Sequence, residues 1–263
     1  MLEMISPELF LREYGDVGDG RPPVVLLHGL FGSSTNWHRI ARRLSESRRV
    51  LAPDLRNHGR SPSIPPMTYP AMAEDLANLL DQQGVDQAAL VGHSMGGKAA
   101  MWLALTRPER VQALVVADMA PVSYAHGFDG VLAALGALDL RAIADRRDAD
   151  ARLAQRLDTP GLRAYLLQNL IKEGDGWRWR IDLPILRNSM DDILGFPDTV
   201  GRQYPGPAFF IYGNDSDYVT GKQLPAIRTL FPLARLRGVP NAGHWVYADQ
   251  PDAFFNAVSG FLS

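Results

Sequence analysis

A series of short, almost uninterrupted apolar runs constrains this chain more than any other feature. They are Pro23-Val24-Val25-Leu26-Leu27, Arg49-Val50-Leu51-Ala52, Ala88-Ala89-Leu90-Val91, Ala113-Leu114-Val115-Val116-Ala117 and Ala208-Phe209-Phe210-Ile211-Tyr212. A strand wet on one face alternates polar and apolar residues, whereas one covered on both faces does not. Residues 35–44 and 69–83 carry apolar side chains at helical spacing, and residues 94–106 do so until Pro108 stops them. A late strand at 234–239 and a terminal helix at 251–262 follow. The alternation predicts an α/β fold with a mostly parallel, doubly wound sheet.

The pattern breaks between residues 121 and 204, where Ala, Leu, Arg and Asp recur at helical spacing, as in 131–138 and 141–157. This stretch reads as a mainly helical insertion between two sheet strands. Such an insertion emerges at the carboxyl edge of the sheet, where open α/β folds place their ligand crevices. The expected organisation is a core of residues 1–120 and 205–263 with a cap of residues 121–204. The alternative is a solvated helical excursion with no part in binding.

Of the 263 residues, 46% are hydrophobic and 21% charged, the balance of a globular domain with one large core. The net charge of −2, with both signs interspersed, gives no footprint for nucleic acid. There is no cysteine, which excludes disulfides, a thiol nucleophile and thiolate metal sites. The first seven residues lack a basic stretch followed by an apolar run, and no apolar segment approaches the roughly 20 residues needed to span a bilayer. The expectation is a cytoplasmic protein without an integral membrane segment; oligomeric state is left open.

Chemistry concentrates at Gly92-His93-Ser94-Met95-Gly96, a Gly-x-Ser-x-Gly pattern between an expected strand and an expected helix. That context predicts a sharp turn presenting Ser94 as a nucleophile, with Gly92, Gly96 and Gly97 letting neighbouring chain approach. A serine hydroxyl needs a base. His244, in Asn241-Ala242-Gly243-His244-Trp245, follows the late strand; His28, His38, His58, His93 and His126 precede or open the cap. Two regions offer the acid that orients the base. In Gly213-Asn214-Asp215-Ser216 the position where an acid is common holds Ser216, flanked by Asp215 and Asp217, while Asp118 ends an earlier strand at the carboxyl edge. Asp118 is favoured, with Ser216 as a hydrogen-bonding auxiliary.

An oxyanion hole needs two convergent amides. Met95, after the nucleophile, supplies one; Leu30 in His28-Gly29-Leu30-Phe31-Gly32 supplies the other, with Phe31 a candidate wall of the acyl pocket. In Asp54-Leu55-Arg56-Asn57-His58-Gly59-Arg60-Ser61, Arg56 and Asn57 are candidate contacts to a polar substrate group, or members of a structural hydrogen-bond network. No complete phosphate-cradling Gly-x-x-x-x-Gly-Lys-Ser/Thr loop occurs, since Ala99 follows Gly97-Lys98, and there is no His-Glu-x-x-His metal helix.

These segments, together with Gly96-Gly97-Lys98, resemble α/β-hydrolases. The Arg56-Asn57-His58-Gly59 run and Lys98 more narrowly resemble YbfF-type bacterial acyl esterases and the related mitochondrial abhydrolases. The resemblance implies esterase or thioesterase activity on small acyl substrates, acyl-CoA among them, with no metal or organic cofactor. It also implies that serine replaces the usual acid after the cap while an aspartate at the earlier strand end serves instead, which are the positions of Ser216 and Asp118. Other readings are a C–C bond hydrolase or a peroxide-dependent enzyme of the same fold, and a noncatalytic protein that binds a small ligand.

Overall fold

Buried apolar runs need neighbours on both sides, and in a computed structural model describing residues 6–15, 20–125 and 127–263 they line up as the inner strands of a seven-stranded sheet. His126 and the first five residues of the amino-terminal segment read above lie outside the described residues. The strands are β1 (Leu11–Tyr14), β2 (Val24–Leu27), β3 (Val50–Pro53), β4 (Ala88–His93), β5 (Val111–Ala117), β6 (Leu170–Glu173), β7 (Gly176–Trp179), β8 (Ala208–Gly213) and β9 (Ala234–Val239). The sheet order is β1-β3-β2-β4-β5-β8-β9, parallel throughout except at β1. Strand β1, Leu-Arg-Glu-Tyr, carries no apolar run. It pairs antiparallel with β3 as an edge, where charged side chains discourage further pairing.

The helices of the core are α1 (His38–Leu44), α2 (Tyr69–Gln82) and α3 (Met95–Thr106). Those of the excursion are α4 (Asp129–Gly136), α5 (Arg146–Leu153), α6 (Pro160–Leu166), α7 (Leu183–Asn188) and α8 (Met190–Leu194), and the chain ends with α9 (Leu224–Leu230), α10 (Val246–Asp249) and α11 (Pro251–Leu262). Because successive strand residues point to opposite faces, the core is split in two. Val24, Leu26, Val50 and Ala52 pack with Ile40 and Leu44 of α1 and Phe254 and Val258 of α11. Val25, Leu27, Leu51 and Leu90 pack with Leu76 and Leu80 of α2 and Ala99 and Leu103 of α3. Helix α2 begins where the Thr68 hydroxyl accepts from the Ala71 amide at 3.3 Å, with Pro70 in the first turn where no amide is needed. Helix α3 is buried all round, which explains its apolar composition.

The excursion leaves the sheet after β5 and returns at β8. It holds the hairpin β6–β7 besides its helices, an element the helical reading of residues 121–204 did not foresee. The signal was present: Gly174-Asp175 forms a two-residue turn, with Gly174 at φ 59°, between residues paired Glu173 to Gly176. Polar contacts tie the excursion to the core. The Tyr165 hydroxyl donates to Leu30 O at 2.9 Å, Asn169 Nδ2 to Phe31 O at 2.7 Å, and the Tyr69 hydroxyl to Ile193 O at 2.5 Å. Lys98 Nζ donates to Leu194 O at 2.8 Å and Gly195 O at 2.6 Å. Among the described residues no helix is long and apolar enough to cross a membrane.

Burial pushes the Lys98 ammonium down to about 7 from an ordinary 10.5. The neutral amine still has two N–H groups for its two carbonyls. Between those values unfolding takes up a proton, so stability rises with pH. The melting temperature of the wild type should therefore climb from pH 7 to pH 9 relative to that of Lys98→Met, by as much as about 1.4 kcal/mol of stability per pH unit. Parallel pH dependences of the two proteins would show that Lys98 is not the titrating group.

Candidate active site

Strand β4 ends at His93 and α3 begins at Met95, so Ser94 makes the whole turn between them, at φ 51° and ψ −117°. A non-glycine residue there is strained by about 1–3 kcal/mol and persists only where its surroundings enforce it. The surroundings are glycines. A Cβ on Gly92 would lie 2.3 Å from Gly96 O, and one on Gly96 would lie 2.5 Å from Leu27 O at the end of β2. The loop after β2 closes against the turn so tightly that a Cβ on Gly29 would sit 3.2 Å from Ser94 Cβ. Ser94 N donates to Ala117 O of β5 at 3.2 Å, and the first bond of α3 is Lys98 N to Ser94 O at 3.0 Å. The Met95 amide precedes that bond and has no intrahelical acceptor. The Leu30 amide has no hydrogen-bond partner among the described residues.

Asp118, in the turn after β5, is fully buried at φ 49°, and its carboxylate gathers three donors. Oδ1 accepts from Gly213 N at 3.2 Å; Oδ2 accepts from the Ser216 hydroxyl at 2.5 Å and from His244 Nδ1 at 2.7 Å. Three donors satisfy the buried carboxylate, and it fixes the His244 tautomer with the proton on Nδ1. Asp215 and Asp217 are exposed, and the bond from His244 runs to Asp118. Tyr218, which the sequence reading did not single out, stacks on the His244 ring with centroids 4.0 Å apart and planes at 19°. The Ser94 hydroxyl makes no hydrogen bond among the described residues, but the His244 ring lies 4.6 Å from that of His93, the residue before it. Contacts between a nucleophile and its base commonly tighten only in the substrate complex.

His28, His58 and His93 brace loops. His28 Nε2 accepts from Leu55 N at 2.9 Å and Nδ1 donates to Gly29 O at 2.9 Å; His58 Nε2 accepts from Phe31 N at 3.1 Å and Nδ1 donates to Arg56 O at 3.0 Å. A ring nitrogen that accepts from an amide belongs to a neutral imidazole. Burial supports this, lowering His28 and pushing His58 down to about 3. His93, also held neutral by burial, donates from Nε2 to His244 O at 2.9 Å.

Three expectations change. Arg56, whose side chain is 2% exposed, is engaged by both carboxylate oxygens of Asp75, at 2.6 and 2.7 Å, and donates to Pro66 O and Ala71 O. It has no face left for a substrate. Asn57 pairs with the backbone of Asp182 in both directions, Nδ2 to O at 3.3 Å and N to Oδ1 at 3.1 Å, so it joins core to excursion. Phe31 does not line the cavity beside Ser94; it packs edge to face on Phe128 at 5.8 Å, and Phe128 lines the cavity together with Tyr69, Tyr124 and Tyr218. The cavity is about 20 Å³, room for one or two water molecules, with Leu30, Met95 and Ser94 at one side and Tyr69, Ile193 and Leu194 contributed by α2 and α8.

A family model described as alpha/beta hydrolase fold matches residues 22–251. The chain belongs to that family. It is similar to the sn-1-specific diacylglycerol lipase ABHD11 of Mus musculus, 43% identical over 250 residues that cover 92% of this chain and 81% of the relative. Esterase YbfF of Escherichia coli (strain K12) is 39% identical over 242 residues, covering 92% and 93%. Among solved structures a marine microorganism esterase superposes with a TM-score of 0.92 at 37% identity, over 97% of this chain and all of that one.

Two substitutions test how the site is built. Alanine is intrinsically about 1 kcal/mol better than glycine inside a helix, yet Gly96→Ala should lower stability by roughly 1–3 kcal/mol, because the backbone carbonyl it meets cannot give way. Asp75→Ala leaves the Arg56 charge buried and unpaired and should cost about 3–5 kcal/mol. Chemical denaturation of both against the wild type measures these; a more stable Gly96→Ala would contradict the close approach.

Proposed function

We propose that this protein is a serine esterase that hydrolyses small carboxylic esters, and thioesters such as acyl-CoA, through an acyl-enzyme on Ser94. One observation carries the reading: the strained Ser94 turn faces the glycine loop after β2 on one side and, at the end of the adjacent strand, a buried Asp118 bonded to His244 on the other. Ser94 Oγ attacks the acyl carbon while His244 Nε2 takes its proton. The amides of Leu30 and Met95 hold the developing oxyanion. The bond to the leaving group then breaks, and that oxygen or sulfur takes the proton from His244. Water attacks the acyl-enzyme in the same manner, giving up a proton to His244, which returns it to Ser94 Oγ as the acid departs.

Asp118 acts throughout by stabilising the imidazolium form of His244, and the Ser216 hydroxyl holds the carboxylate in place. The family relatives support hydrolytic chemistry on esters, since those described above are named as a lipase and as esterases. Reaction with a fluorophosphonate probe should label Ser94, and Ser94→Ala should abolish both labelling and hydrolysis of p-nitrophenyl esters. A folded Ser94→Ala variant with full esterase activity would overturn the reading. Asp118→Asn should reduce kcat by about 10⁴-fold, whereas Asp215→Asn and Asp217→Asn should stay close to the wild type. The reverse ranking would move the acid to the loop after β8.

A further inference from the structure

Three successive carbonyls at the end of α8 are pinned by core side chains: Ile193 O by the Tyr69 hydroxyl at 2.5 Å, and Leu194 O and Gly195 O by Lys98 Nζ at 2.8 and 2.6 Å. The last carbonyls of a helix have no intrahelical donors, and here the core supplies them. Lys98 has no carboxylate among its hydrogen-bond partners; the rings of Tyr124 and Tyr69 lie 5.0 and 5.6 Å from its nitrogen. It sits one helical turn beyond Ser94, roughly 6 Å along α3.

The two sides of this pinned turn differ. Ile193 and Leu194 close the small cavity beside Ser94, whereas Asp191, Asp192 and Gly195 line an open cleft of about 380 Å³. Tyr69 borders both. A single ring and one stretch of backbone therefore separate the space next to the nucleophile from the outside.

Resting on the serine-esterase reading, we propose that Tyr69 and the Ile193–Gly195 turn are the stop that limits acyl-chain length. An acyl group attached to Ser94 extends along α3 into apolar surroundings until it meets this wall. An acetyl group, of the size that the cavity of about 20 Å³ can hold, ends before it. Longer ones must displace Tyr69 or unpin the turn, breaking the bonds that Tyr69 and Lys98 make to its carbonyls. Truncating the wall joins the cavity to the cleft and gives a long chain a way out.

The test is a p-nitrophenyl ester series from acetate to laurate, with kcat/KM measured for the wild type, Tyr69→Ala and the milder Leu194→Ala. Fluorophosphonate labelling of Ser94 reports that each variant is folded. In the wild type kcat/KM should fall at least about tenfold from acetate to decanoate, and in either labelled variant the decanoate-to-acetate ratio should rise at least about tenfold. Wild-type hydrolysis of decanoate as efficient as that of acetate overturns the proposal, as does an unchanged ratio in the labelled variants. If the wild type is neither labelled nor active on any ester, the serine-esterase reading fails first and the chain-length stop with it.

Discussion

The backbone of Ser94 can hold its strained conformation because three chain segments crowd it without side chains in between. Gly92 admits the carbonyl of Gly96, Gly96 admits that of Leu27, and Gly29 brings the loop after β2 against Ser94 Cβ. Each approach joins β4, α3 and β2, and these are the strands and helix at the centre of the sheet. The turn is thus a joint of the core as much as a platform for a hydroxyl. Removing any one glycine would push apart elements whose apolar faces are otherwise fully buried.

Strain of the same kind recurs around the site. Among the described residues the non-glycine residues with positive φ are Phe31, Asn57, Ser94, Asp118 and Asn241, which follow β2, β3, β4, β5 and β9. All of them lie at the carboxyl ends of parallel strands, the edge where an open α/β sheet places its ligands. Each costs on the order of 1–3 kcal/mol, and each is held by local bonds. The neutral rings of His28 and His58 clamp the loops after β2 and β3, and His93 ties the Ser94 turn to the backbone of His244. Stability invested in the sheet is spent on geometry at its edge. The excursion shares the apolar cluster on the α2 and α3 side through residues such as Leu135, Leu166 and Ile193, and polar contacts such as Asn57 to Asp182 and Lys98 to Gly195 add directional bonds to that packing.

Much of this was legible in the primary structure because it depends on local rules. Unbroken apolar runs marked the buried strands, Gly-x-Ser-x-Gly marked the turn, and Gly243 before His244 marked a loop after the last strand. Strand β1 escaped notice because an edge strand needs no apolar run, and β6–β7 because its short turn sat in a stretch dominated by helical spacing. Arg56 looked like a substrate contact because a charged residue in a loop usually meets solvent; its partner Asp75 lies a helix away. Tyr218 carried no local signal at all.

The sequence by itself determined the alternating sheet, the sharp turn at Ser94 and the residue types available near it, since these follow from periodicity and from the space that glycine leaves. Only the tertiary structure decided which aspartate meets His244. The sequence favoured Asp118 but left Asp215 and Asp217 open; β5 and β8 are neighbours in the sheet, and that pairing puts Gly213 N, Ser216 and His244 within hydrogen-bond reach of Asp118. The same holds for the wall beside Ser94. Tyr69, Lys98 and Ile193 are far apart along the chain, and packing α8 onto α2 and α3 is what turns them into one surface. Ser94 is therefore named by its own five residues, while its circuit and its pocket are properties of the fold.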